Sequence, residues 1–460
     1  MWVAERQIEA KLGSTGDDLF DRLSAILSTE LGDDEILLRY VVTELSAAHV
    51  AIEALVLTGA ESFGFKRPLS PLHLVRRVFE DSQTFNAVLV IPTGIGAEIG
   101  GHAGDAGPVA KLLCSVCDTV VTHPNVVNAS DINELPANGI YVEGSVLTRL
   151  LMGTASLQRA RGNRVLVVID DHPDEYFSAG AINAIGAARA TYGLNCPYIL
   201  KLDKGVRLRA FYSESGRAIG EVTGLELLLP YLRQKREEYD AVAISSVINV
   251  PPAFHQQYFE AGGHMVNPWG GVEAMLTHTL SALLDVPSAH SPMFEAREIA
   301  NYDPGIVDPR MSAEAVSFTF LQCILKGLQC SPRIVSMAPL GCAGLFDVTN
   351  VSCLVIPQGC LGPPTFAALA QGITVIAVRE NTSLMKNDLR QLPWRSGQFF
   401  EVENYLEAAG LIAALRSGIA PSSVRRPLAP TRTLSLGAEL APTSGGDKPK
   451  VNYELGRVDN

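Results

Sequence analysis

His123, in the run VVTHPNVVN, follows an apolar stretch and precedes a proline, a setting that suits neither a core residue nor a turn former. An imidazole titrates near neutral pH and a carboxylate can fix its tautomer, so His123 reads as a general acid/base and Asn125 as an amide that orients a substrate. His102 and Asp105 stand in the preceding loop, and Asn128 and Asp131 follow His123; these last two read as turn or capping residues. The pattern of polar groups at the end of an apolar run recurs at Glu143 in YVEGS and at Asp170 and Asp171 after VLVVI. Adjacent Asp170 and Asp171 point differently on an extended backbone and so do not form a pair. Glu273 and His278 lie in GGVEAMLTH. Five residues is about 140° around a helix, so these two do not share a face, and a zinc-binding helix would set its ligands four apart. The expected catalytic set is His123, Asp171, Glu143 and His278, acting without a metal. A divalent metal stays open only if other loops, with His264 or His290, contribute.

Before these residues comes PTGIGAEIGGHAGDAG, a loop whose glycines allow tight turns and whose following helix offers free amides to an anion. A dinucleotide fingerprint needs a third glycine where Ile99 stands and an acid at the end of the next strand, where Thr122 and His123 stand. A triphosphate loop needs Gly-Lys-Ser/Thr, and Lys111 lies inside the helix. NAD and ATP are therefore disfavoured and the cofactor is unassigned. What remains is a site for a small phosphate or carboxylate, with Thr93, Gly94, Gly96, Gly100, Gly101, His102, Asp105, Asn125, Asn267 and Glu273 as its expected binding residues.

The elements that would position these groups alternate. Apolar runs at 87–91, 119–122, 165–169, 198–202, 241–248, 333–337, 353–356 and 374–378 are separated by helical stretches, the pattern of parallel sheets with crossover helices. A Ser215-Gly216 turn marks a hairpin. The spacing predicts an α/β fold, mostly parallel and Rossmann-like, with layered sheets in two lobes. Residues 1–85 read as a small α+β module with two antiparallel strands meeting near 44–48, residues 86–260 as the first lobe, residues 261–420 as the second, and residues 421–460 as a Pro/Ser-rich irregular tail.

Composition bounds the partners. The chain has 460 residues, 47% hydrophobic and 19% charged, and a formal charge of −12. Nucleic acids and anionic membranes attract clustered positive charge, which is lacking here, so neither is an expected partner. No apolar run is long enough to span a membrane and no secretory signal is evident, so a cytoplasmic protein is expected, acting on a small metabolite and forming a homo-oligomer through its β-rich N-terminal stretch. The eight cysteines mostly sit in apolar runs and read as buried thiols, the Cys114–Cys117 pair included, whereas Cys342 and Cys360, in glycine-rich loops, read as accessible.

Together the blocks IPTGIGAEIGGHAGDAGPVA, THPNVVNASDIN, YVEGS, GGVEAMLTH, SAHSP and LRSGIAPSSVRRPL resemble an uncharacterised family, a domain of unknown function, of cyanobacterial, other bacterial and plant-plastid proteins. The resemblance covers residues 86 to 427. It implies an intact α/β body and transfers no activity or catalytic residue. The expected function is an enzyme using metal-free acid/base chemistry of the hydrolase, lyase or isomerase type on a small anionic carboxylate or carbonyl compound. Two alternatives stand beside it: a two-lobed transferase holding a nucleotide or phosphorylated donor against residues 353–381, and a non-catalytic metabolite-binding or assembly protein.

Overall fold

A computed structural model describes residues 1–12, 19–66, 68, 70–317, 319–431 and 433. Most of the expected tail, residues 434–460, therefore lies outside the described residues. Seventeen strands are present among those described: β1 (Trp2–Lys11), β2 (Glu35–Leu45), β3 (His49–Thr58), β4 (Asn86–Leu89), β5 (Thr119–Thr122), β6 (Gly139–Tyr141), β7 (Ala155–Gln158), β8 (Val165–Ile169), β9 (Ile199–Lys201), β10 (Arg207–Tyr212), β11 (Ala218–Thr223), β12 (Ala241–Asn249), β13 (Ser288–Met293), β14 (Arg333–Ser336), β15 (Cys353–Pro357), β16 (Thr374–Val378) and β17 (Phe399–Val402).

Strands buried on both faces must be apolar throughout. NAVL of β4 beyond Asn86, whose amide donates to Asn350 O at 2.8 Å, CLVIP of β15 and VLVVI of β8 meet that demand, and all three strands are buried along their whole length. The first two lie at the centre of a six-stranded, all-parallel sheet of order β17-β16-β15-β4-β5-β6. Strand β8 lies in a nine-stranded sheet of order β2-β3-β1-β11-β10-β12-β8-β9, to which β13 adds beside β12. This second sheet is mixed: β8, β9, β12 and β13 run parallel, whereas β1–β3 and the β10–β11 hairpin pair antiparallel. The molecule is thus α/β with several sheets, one of them all-parallel, rather than a single Rossmann layout.

The sheets do not follow the expected segments. Strands of both large sheets come from either side of residue 260, with β4–β6 joined by β15–β17 and β8–β12 joined by β13. Residues 1–85 are not set apart either, since β1 pairs with β11 in register from Trp2↔Thr223 to Ala4↔Glu221. One continuous apolar core runs from Ile8 and Val42 in the N-terminal strands, through Val88 and Val355, to Val167 and Ala289.

Two details of the backbone aim side chains at the space between the sheets. The β2–β3 register slips between Leu37 and Arg39, a bulge that re-aims the residues after it. Beyond the bulge, β2 docks on the loop following β15 through a hydrogen bond from Val42 N to Leu361 O, 3.0 Å long. The helix Gly270–Leu284 then packs on β11 and β13 with one side and on the helix Gly144–Leu151 with the other, so it bridges the two sheets.

Candidate functional site

In an open parallel sheet, ligands bind beyond the carboxyl ends of the strands where the strand order reverses. Here the reversal lies between β15 and β4, since the chain adds β5 and β6 on one side and β16 and β17 on the other. A crevice opens at that place. Its walls include Val90 and Pro92–Ile95 after β4, His123–Asn125 after β5, Glu143 and Gly144 after β6, and Cys360–Thr365 after β15. The nine-stranded sheet supplies the opposite wall through Arg39, Tyr40 and Arg217, and the bridging helix supplies Glu273, Thr277 and His278.

The most organised group is built on Glu143. Its backbone leaves β6 in an extended conformation and its side chain caps the following helix, accepting from Ser145 N at 3.0 Å and from the Ser145 hydroxyl. The other carboxylate oxygen is hydrogen-bonded to Nδ1 of His278 and accepts from Thr277 Oγ1 at 3.3 Å. Burial works to raise the Glu143 carboxyl, but the charge and hydrogen bond of His278, with the Ser145 bonds, hold it below the usual carboxylate value. Both residues are buried, Glu143 at 3% exposure and His278 at 7%. With Nδ1 engaged, Nε2 is the ring nitrogen left to meet a ligand. Gly144 makes room for it, because a Cβ there would stand 3.1 Å from His278 Cε1.

His123 lines the same crevice, yet its Nε2 accepts the Ile91 N–H at 3.1 Å, which places its proton on Nδ1. Burial pushes its pKa down to about 4, the Glu143 charge opposing and His278 adding to the shift. A neutral imidazole with Nε2 occupied acts as a fixed N–H donor rather than as the base. Asn125 is likewise committed to the backbone, donating to Ile91 O at 3.0 Å and Gly100 O at 2.8 Å.

The glycine loop is held close to its neighbours rather than open as a cradle. Gly94 has φ +75°, its carbonyl accepts from Ala218 N at 2.9 Å, and a Cβ there would lie 2.6 Å from Ala218 O. Asp105 fastens the loop by accepting from Gly100 N at 2.8 Å, and burial lifts its carboxyl to about 7. Thr93, Gly94, Gly101 and His102 border the crevice, whereas Gly96, Gly100 and Asp105 support the loop from behind. His102 shares a 2.7 Å hydrogen bond with Tyr258 Oη; burial and the Arg310 charge lower its pKa.

Asn267 caps the bridging helix, accepting from Trp269 N at 3.0 Å and Gly270 N at 3.3 Å, and donates to Glu314 Oε1 at 3.3 Å. Glu273 meets His290 Nδ1 at 3.2 Å, and the other nitrogen of that ring meets Ser246 Oγ at 2.8 Å. The Ser246 hydroxyl is wholly buried, so it orients His290 rather than attacking a ligand. Thus Glu273 and His278 pair with different partners. Among the described residues no three His, Cys, Asp or Glu side chains are grouped to hold a metal ion.

Two expectations fail on position. Asp171 is exposed at the end of β8 and borders neither the crevice nor the cavity beside it. Its neighbour Asp170 is the buried one, raised to about 6 by burial while accepting from Val206 N at 3.0 Å. Cys360 is buried at 2% exposure because its loop is covered by β2, while Cys342 is exposed.

Residues 86–425 match a family model described as a protein of unknown function, DUF3326. The chain belongs to the DUF3326 family. It is 31% identical over 345 residues to an uncharacterised lipoprotein of Synechococcus sp., a match covering 74% of this chain and 94% of that protein. No solved structure matches it. The DUF3326 segment contains His123, Glu143, Arg217 and His278, while Arg39 and Tyr40 come from the strands before it.

Sequence reasoning missed these last two and Arg217. Arg217 is 1% exposed and forms ion pairs with Glu5 at 3.1 Å and with Glu53, residues 212 and 164 positions away, so nothing local in SESGR marks it. Arg39 pairs with Glu5 in the same network. Arg217 Nε and Tyr40 Oη are buried without a hydrogen-bond partner among the described residues, and both residues border the crevice.

Proposed function

We propose that this DUF3326 protein is an enzyme that acts on a small anionic metabolite by acid/base chemistry of the hydrolase, lyase or isomerase type. The observation that carries the reading is the buried Glu143–His278 pair at the strand-order reversal of the parallel sheet. A base held by a carboxylate, with its second nitrogen turned to a ligand, is the arrangement that proton transfer requires. In this reading His278 Nε2 takes the proton, Glu143 fixes the ring and stabilises the imidazolium, and His123 offers its Nδ1–H to developing negative charge.

Anion binding is supported by three features of the same crevice. Arg39 and Arg217 stand beside each other on one wall, Arg217 Nε and Tyr40 Oη are donors without a partner, and the helices beginning at Gly144 and Gly270 direct their N-termini to the space. The glycine loop then shapes the crevice, and the arginine wall holds the carboxylate or phosphate.

Thermal-shift measurements with a panel of small carboxylates and phosphates, set against nucleotides and sugar nucleotides, test this reading. A rise in Tm with the small anions, weakened in Arg39→Gln, is expected. A rise confined to nucleotides would favour a donor-binding transferase instead.

We place the protein in the cytoplasm as a soluble homo-oligomer, without nucleic-acid or membrane partners. No helix among the described residues is long and apolar enough to cross a membrane. The lipoprotein name of the Synechococcus protein points the other way, and fractionation of cells into membrane pellet and supernatant decides between them.

A further inference from the structure

Beside the crevice lies a second cavity, with Ala103, Asn128, Asn267, Glu273 and His290 bordering both. Its walls are of another kind. Five aromatic rings (Phe259, Trp269, Phe294, Tyr302 and Phe320) and three carboxyl groups (Glu273, Glu295 and Glu314) face it, and no lysine or arginine among the described residues does. The rings brace one another: Phe294 and Phe320 are 5.2 Å apart between centroids, and Trp269 stands edge-on to Tyr258 at 5.2 Å. Glu314 is fixed by Ala103 N at 2.8 Å and Tyr258 Oη at 3.2 Å.

Two residues that border this cavity each carry a buried polar atom without a partner among the described residues, Ser130 Oγ and Asn128 Oδ1. Ser130 is 4% exposed and held at φ +51°, a left-handed conformation unfavourable for a residue with a Cβ. A buried acceptor left unpaired costs stability unless something donates to it. Asn128 Nδ2 donates to Tyr141 Oη at 3.0 Å, which leaves Oδ1 as an acceptor with no donor among the described residues.

Aromatic faces attract cations through their quadrupole, carboxylates do so by charge, and an orphaned amide oxygen accepts N–H. All three preferences agree. We propose that this cavity is a binding site for an organic ammonium group, a primary alkyl- or arylalkylamine in its protonated form. The rings enclose its carbon chain, Glu273 and Glu314 face its charge, and Asn128 Oδ1 and Ser130 Oγ accept from its N–H groups. The site is separate from the arginine wall and does not require that the crevice be catalytic.

Isothermal titration of the full chain with phenethylammonium chloride tests the proposal, with 2-phenylethanol as the uncharged molecule of similar shape. The ammonium should bind at least tenfold more tightly than the alcohol at this cavity and alter Trp269 fluorescence. Glu314→Gln, which keeps an acceptor for Ala103 N, should weaken it about tenfold. Tyr302→Leu, at a ring 37% exposed, should weaken it severalfold, and Tyr40→Phe should leave it unchanged. Equal binding of both probes, or unchanged affinity in both Glu314→Gln and Tyr302→Leu, would overturn the site. Because no turnover is read, failure of the enzymatic reading leaves this result standing, and failure here leaves the small-anion panel untouched.

Discussion

The Nδ1 atom of His278, on the helix that bridges the two sheets, is hydrogen-bonded to the carboxylate of Glu143, which caps the helix following β6. The pair therefore ties the end of the parallel sheet to the mixed sheet at the place where a ligand would sit. Removing the carboxylate charge while keeping the shape should separate orientation from folding. Glu143→Gln is expected to lower kcat by roughly 10- to 100-fold with KM little changed, since a general base contributes about 10²–10⁴ in total and the amide still partly holds the ring. Steady-state kinetics on the first substrate identified will check this.

Arg217 lies between Glu5 and Glu53 with its guanidinium almost wholly buried. Taking away the cation leaves Glu53 without its ion pair and Glu5 with Arg39 alone, and breaking a buried pair by deleting one partner costs about 3–5 kcal/mol. Arg217→Ala should lower stability by that order in urea unfolding. A loss below about 1 kcal/mol would mean that the network is far more solvated than its burial indicates.

His123 connects the site with pH. Its folded pKa is depressed to about 4 by burial, against an unfolded value near 6.5. A depressed group lends stability that is present above the unfolded pKa and is lost as pH falls through the folded one. Between about pH 6.5 and 4 the wild-type protein should thus lose stability, by about 1–2 kcal/mol at pH 5 from this residue. His123→Asn should show a flatter slope of urea midpoint against pH over that window, with lower stability at pH 7 where the Ile91 contact is altered.

Several strands were legible because they are buried, mostly apolar runs. The runs at 119–122 and 374–378 coincide with β5 and β16 of the parallel sheet, and 165–169 with β8 of the mixed one. Strand β13, SAHSPM, was not legible: it is buried, yet polar, and is made tolerable by specific partners such as Ser281 and Thr277 for Ser288 and Ser246 for His290. The same limit applies to the site. Polar residues ending successive strands of the parallel sheet, His123 and Glu143, line one crevice, which His278 reaches from the bridging helix. Asp171 obeyed the same rule and lies elsewhere, because β8 belongs to the other sheet. Arg39 and Tyr40 depend on a β-bulge and on the docking of β2 against Leu361, and such tertiary contacts leave no local pattern in the chain.

Consumption of metabolites tests most directly whether His278 is a catalytic base. A polar extract would be incubated with the wild-type protein and with His278→Gln, and each carboxylate- and phosphate-bearing species followed by mass spectrometry. At least one small anion should be converted by the wild type, and its conversion should fall by about 100-fold or more in the variant. Conversion of the same species at equal rates by both proteins would contradict the assignment of His278 as the base, and no conversion of any anion by the wild type would contradict the enzymatic reading itself.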